Sequence, residues 1–149
     1  MGKKKNKHIN IPNSPKKEYI HASVANTEDM EKTGNDKKVF ISIKHIQHSY
    51  QCFSAWEKTE MSKFWAFSKK LHDMTWQQVY ATASKGQGKR GLAYTTIPKN
   101  NYNNEFVNKL SEDIDMFELR VDGAMRVHGY RDKAIFNLCF LDREHKITK

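Results

Sequence analysis

Apolar and polar residues alternate along the last third of the chain. Phe117, Leu119 and Val121 interleave with Glu118, Arg120 and Asp122, and Met125 and Val127 interleave with Arg126, His128 and Tyr130. A period of two marks a strand with one buried face, and Asp122-Gly123 interrupts it where a turn belongs. Residues opposite one another in an antiparallel pair share a face, so apolar positions must meet apolar positions. A two-residue turn at Asp122-Gly123 would set Leu119 against Arg126. A three-residue loop over residues 122–124 pairs Val121 with Met125, Leu119 with Val127 and Arg120 with Arg126, and is the register predicted. Residues 134–141 are apolar on both faces, with Ile135, Cys139 and Leu141 on one and Phe136, Leu138 and Phe140 on the other. That is the pattern of a central strand covered on both sides.

Upstream, VFISIKHI from Val39 reads as a strand with Val39, Ile41 and Ile43 on one face, and LAYTTI from Leu92 as another. Between them the period lengthens. Met61, Phe64, Trp65, Ser68 and Leu71 follow helical spacing with Lys63, Lys69 and Lys70 turned outward, and Trp76, Val79, Tyr80 and Ala83 form a second, shorter stripe. Ser54 with Glu57, and Thr75 with Gln78, resemble capping boxes at the two starts. The rings of Phe64, Trp65, Trp76 and Tyr80 are expected in the core rather than as a base-stacking platform. Residues 105–110 add a short helical turn. The fold class expected is α+β: two helices packed on one face of a small, mostly antiparallel four-stranded sheet in the order β-α-α-β-β-β.

Residues 1–38 are polar nearly throughout and cannot bury enough surface to offset the entropy of ordering. They read as a flexible basic arm ahead of a single domain over residues 39–149. The 149 residues carry 26 lysines and arginines against 17 acids, a net charge of +9. The arm accounts for only +4 of it, so the domain is itself basic and a polyanionic partner is favoured. Cys52 and Cys139 fit no metal spacing, and reduced thiols in a cytoplasmic protein are expected, with a single disulfide the alternative. No apolar run is long enough to cross a bilayer, so no membrane partner is expected.

The candidate chemistry lies on the hairpin. Its polar face carries Arg120, Arg126, His128 and Tyr130, and two guanidinium groups side by side repel unless an anion such as phosphate lies between them. The competing reading is ordinary: the arginines pair with Glu118, Asp122 and Asp132 on a solvated face. The loop KGQGKRG over residues 85–91 lacks the spacing of a nucleotide-binding P-loop. Its Lys85, Lys89 and Arg90, with Arg131 and Lys133 of the hairpin, are candidate nucleic-acid contacts. No metal ligand set and no cofactor is expected.

The element order and the C-terminal Arg120, Arg126, His128, Tyr130 and His145 resemble the RelE/ParE superfamily of bacterial toxins over residues 39–147. The resemblance implies a metal-independent endoribonuclease, an mRNA interferase acting on RNA, ribosome-bound messenger included, and held by an antitoxin protein. Arg120 and Arg126 would then stabilise a phosphorane-like transition state, and Tyr130 or His128 would exchange protons with the 2′-hydroxyl and leaving oxygen. His145 matches the terminal histidine of some members. The 38-residue arm and the Asn-rich segment 98–104 depart from the family pattern, and its lysine cluster has only Lys85 and Lys89 as counterparts. Two other readings stay open: a non-catalytic nucleic-acid-binding module, and an inhibitor acting on a protein target such as gyrase.

Overall fold

In a computed structural model, which describes residues 27–83 and 91–148, the chain forms an α+β fold around one mixed sheet. Strands β1 (Phe40–Ser42), β2 (Thr95–Ile97), β3 (Met116–Asp122), β4 (Met125–Asp132) and β5 (Ile135–Asp142) lie in the order β1-β5-β4-β3-β2. Helices α1 (Lys58–His72) and α2 (Trp76–Ala81) follow β1, and the single turn α3 (Glu105–Asn108) precedes β3. The sheet therefore has five strands, not four. Both VFISIKHI and LAYTTI contribute an edge, the first parallel to β5 and the second antiparallel to β3.

The helices start where the sequence offers caps. Thr75 Oγ1 accepts from the Gln78 backbone N–H at 3.2 Å, and the Gln78 side chain accepts from Thr75 N at 2.9 Å, the predicted capping box. At α1 the cap is Glu57 itself, whose N–H donates to Glu60 at 3.0 Å, because Ser54 is taken up in a 3-10 turn over Phe53–Ala55. The buried stripe of α1 is Phe67, Ser68 and Leu71. Phe64 packs at its margin, but Trp65 is 66% exposed and Met61 37%. Trp65 is thus not core: helical spacing allows two stripes one residue apart, and contact with Trp56 and Phe53 selects the one through Phe64.

One sheet face meets α1 and α2 through Phe117, Leu119, Val127, Phe136, Leu138 and Leu141. The other face is also covered. Met116, Tyr130, Cys139, Phe140 and Val107 form a second apolar cluster there, joined by Tyr50, Tyr102, Phe106 and Ile147 from the connecting segments and the C-terminus. The expected open basic face is closed over much of its area.

Two bulges set the final register. Leu119 faces Val127 and Arg120 faces Arg126 as predicted, but Asp122 rather than Val121 faces Met125. Val121 is the extra residue, so the turn shortens to Gly123-Ala124 while both strands keep their apolar phase. In β5 the pairing steps from Leu138 to Phe140 across β4, leaving Cys139 extra. Phe136, Leu138 and Leu141 consequently share the first face, and Cys139 and Phe140 the second, which differs from the strict alternation predicted.

Part of the stretch ahead of residue 39 is fastened to the sheet. Residues 27–31 form a 3-10 turn, and Ala134 N–H donates to Met30 O at 3.2 Å. Arg131 has a partner for each of its five N–H groups, and three of them hold the next stretch, residues 33–35. Nε donates to Lys133 O, Nη1 to Asn35 Oδ1 and Tyr80 Oη, and Nη2 to Thr33 O and Gly34 O, while the guanidinium lies 4.5 Å from the Trp76 ring. Hydrogen bonds, not apolar burial, fasten this polar segment, so its composition could not show the attachment. The rest of the predicted arm lies outside the described residues.

Candidate active site

Strand pairing writes two polar rows across the second sheet face. Arg120 of β3 faces Arg126 of β4, which faces Asp142 of β5; one step along, Glu118 faces His128, which faces Phe140. Like charges directly opposite destabilise a pair of strands, and here Asp142 completes the row so that Arg126 stands between a cation and a carboxylate. Arg126 is nearly buried and donates through Nη1 to Gly123 O at 2.6 Å and Met125 O at 3.1 Å. Burial first, and then the charge of Arg120, lower its pKa from the ordinary guanidinium value, opposed by Glu118 and Asp142.

His128 is fully buried. Its Nε2 lies 3.3 Å from Asp142 Oδ2 and 3.8 Å from Glu118 Oε2, and its Nδ1 3.0 Å from Tyr102 Oη. Burial, reinforced by the Glu118 charge, drives the Tyr102 phenol far above its ordinary value, so it stays protonated. Tyr102 Oη and Asp142 Oδ2 thus give each ring nitrogen of His128 a hydrogen-bond partner.

The C-terminal segment closes the cluster. Lys146 N–H and Ile147 N–H donate to the two oxygens of Asp142 at 2.9 and 3.1 Å. That hairpin-like return brings His145 Nε2 to 3.3 Å from Glu118 Oε2, and Thr148 Oγ1 to 3.2 Å from the same oxygen. His145 has φ +56°, a left-handed conformation that histidine adopts more readily than most residues. Its side chain is 27% exposed, whereas that of Glu118 is 7% exposed. His145 is therefore the imidazole of this cluster with access to solvent.

The predicted site residues divide accordingly. Arg120, Arg126, His128 and His145 come together, with His145 arriving from a segment that by sequence simply leaves the sheet. Tyr130 shares their face but is buried in the second apolar cluster, beside Phe106 and His45, and is not placed for proton transfer to a bound substrate. Arg131 is the clamp just described, and Lys133, which is exposed, pairs with Glu31 at 2.5 Å. Lys85, Lys89 and Arg90 lie outside the described residues. Sequence reasoning missed Asp142, Tyr102 and Thr148 and read Glu118 only as a surface ion-pair partner. Carrying the two-residue period past Leu141 would have put Asp142 beside Arg126; no local signal places Tyr102 or Thr148.

Chemically, a partly exposed imidazole beside a carboxylate can exchange a proton, and an adjacent arginine pair can stabilise a developing negative charge. Among the described residues no group of His, Cys, Asp and Glu is arranged to hold a metal ion, and no helix is long and apolar enough to cross a membrane. No family model matches the chain, and neither a curated protein nor a solved structure matches it significantly.

Proposed function

We propose that the chain is a toxin-like endoribonuclease of the RelE type, cutting RNA by attack of a 2′-hydroxyl on the neighbouring phosphorus. The observation that carries the reading is the meeting of Arg120 and Arg126, cross-strand neighbours, with the His145–Glu118 pair at the edge of the second sheet face. In this mechanism His145, oriented by Glu118, takes the 2′-hydroxyl proton. The arginines stabilise the charge on the phosphorane oxygens, and the 5′-oxygen of the next nucleotide leaves as it takes a proton from water, giving a 2′,3′-cyclic phosphate, while the proton on His145 returns to solvent. His128 is a positioning residue: from the interior it holds Asp142, which holds the segment carrying His145. Messenger RNA on ribosomes is the substrate class, and an antitoxin the expected partner.

The burial of His128 and Tyr130 favours a second reading, a nucleic-acid-binding module without catalysis, because two of the proposed proton carriers are out of reach of substrate. The experiment is induced expression in a bacterial host, followed by growth and messenger integrity, for wild type, His145→Ala and Arg120→Ala. Both side chains are part-exposed, so these variants leave the core intact. Arrest with fragmented messenger in wild type, and a loss of about 10²-fold or more in cutting in His145→Ala, supports the nuclease. Salt-dependent RNA binding without fragments would replace it by the binding module. Arrest without RNA binding, indifferent to His145, would point to a protein target.

A further inference from the structure

Between the Asn-rich segment and the C-terminal return lies a cleft of about 440 Å³, bordered by Tyr50, Asn101, Tyr102, Asn103, Lys146 and Ile147 among others. We infer that it is a subsite for the base of an unpaired nucleotide, next to the His145–Glu118 pair. The inference rests on the endoribonuclease reading and adds to it where the substrate is read.

The lining has the chemistry of a heterocycle site. Its volume is in the range of small-ligand clefts, and two aromatic rings border it. Neither ring is free to swing. Tyr102 stacks on Phe140 at 5.2 Å with its hydroxyl on His128, and Tyr50 meets Phe140 edge-on at 6.3 Å with its hydroxyl 3.3 Å from Asp142. Fixed rings are the platforms on which unpaired bases stack. Asn104 is committed, since its side chain caps α3 by accepting from Val107 N–H at 3.1 Å. Asn101 and Asn103 are exposed, and a carboxamide carries the donor and acceptor that match the edge of a base. Asn103 is held at φ +42°, a conformation asparagine tolerates better than most residues.

Charge also discriminates between this cleft and its rivals. The cleft beside Tyr80 and Tyr94 is lined by Asp113, Asp115 and Asp132, and its two cations, Arg131 and Lys133, are already engaged by Asn35, Tyr80 and the backbone and by Glu31. The groove beside α1 holds Lys63 and Lys70, but Asp122 lies in it too and pairs with Lys63, and it offers no amide and no open ring to a base. No carboxylate lines the Asn-rich cleft, and Lys146 supplies a cation at its rim. Because Lys146 and Ile147 directly follow His145, a base seated here would place its own ribose and phosphate toward the acid–base pair.

The test uses the full chain and calorimetric titration with the four nucleoside 3′-monophosphates and with inorganic phosphate alone. The variants are Asn103→Gly, which removes the amide while relaxing the left-handed backbone, Asn101→Ala, and Lys69→Ala on the far side of α1 as a control. At least one nucleotide is expected to bind about ten-fold or more tighter than phosphate. Either asparagine variant is expected to weaken it by about five-fold or more, the effect of losing one base-edge pair, and Lys69→Ala to leave it unchanged. Nucleotides binding no tighter than phosphate, or asparagine variants without effect, would overturn the subsite. Selective nucleotide binding by a protein that cuts no RNA would keep the subsite and sink the nuclease. Cutting without nucleotide selectivity would do the reverse.

Discussion

At Gly129 of β4 the backbone of β5 leaves no room for a Cβ, and replacing it by alanine measures how tightly the bulge at Cys139 is built. An added Cβ would lie 2.0 Å from Asn137 O, 2.7 Å from Phe136 Cε2 and 2.9 Å from Asn137 C. Ordinary carbon contacts need about 3.5 Å, so the strands must separate by more than about 1 Å and Phe136 must shift from its place in the first core. Separation weakens ladder hydrogen bonds worth about 1 kcal/mol each, and displacing Phe136 adds an overpacking penalty of about 1–3 kcal/mol. A loss of about 3–5 kcal/mol results from these terms, a large share of the roughly 5–15 kcal/mol that keeps a domain folded. For a chain of this size it lowers Tm by about 10–15 °C. Gly123→Ala is the control: φ there is +50° with nothing within 4 Å of the new Cβ, so only a left-handed penalty of about 1 kcal/mol applies. Thermal unfolding followed by circular dichroism compares the two. Equal drops, or a Gly129→Ala midpoint within about 2 °C of wild type, would refute the close approach and with it the bulge register.

Other outcomes follow from burial and charge. Burial pushes the Asp142 carboxyl up, but hydrogen bonds from His128, Lys146 N–H and Ile147 N–H outweigh it and hold the pKa below the usual value. A depressed folded pKa gives stability that is complete above the unfolded value, about 3.9, and is lost as pH falls through the folded one. Urea midpoints of wild type should therefore fall below about pH 4, and Asp142→Asn should start lower and change less over that window; parallel curves would contradict the account. Trp65→Ala should alter stability by no more than about 0.5 kcal/mol, against about 3–5 kcal/mol for the fully buried Trp76→Ala, both read by denaturant titration. Both cysteines are free. The Cys139 thiol is pushed up to about 12 by burial, while hydrogen bonding to Ser54 lowers that of Cys52. A thiol reagent should label Cys52 in the native protein and Cys139 only in denaturant, as counted by mass spectrometry.

Local periodicity by itself determined the strand segments, the two main helices, the Thr75 cap and the pairing of Leu119 with Val127 and of Arg120 with Arg126. Each depends on neighbours two to four residues apart, which the chain displays directly. Much of the candidate site was legible for the same reason, since the alternation that buries Leu119 and Val127 must put Arg120, Arg126 and His128 together on the other face. What that face meets was decided only by tertiary structure. Tyr102, from the segment before α3, and the return of residues 143–148 cover it, converting an expected open basic sheet into a buried cluster with His145 at its margin. The bulges at Val121 and Cys139, the choice of Phe64 over Trp65, and the fastening of residues 33–35 by Arg131 likewise rest on partners tens of residues away. Those are steric and hydrogen-bonding agreements between distant segments, and no window of sequence contains both sides of them.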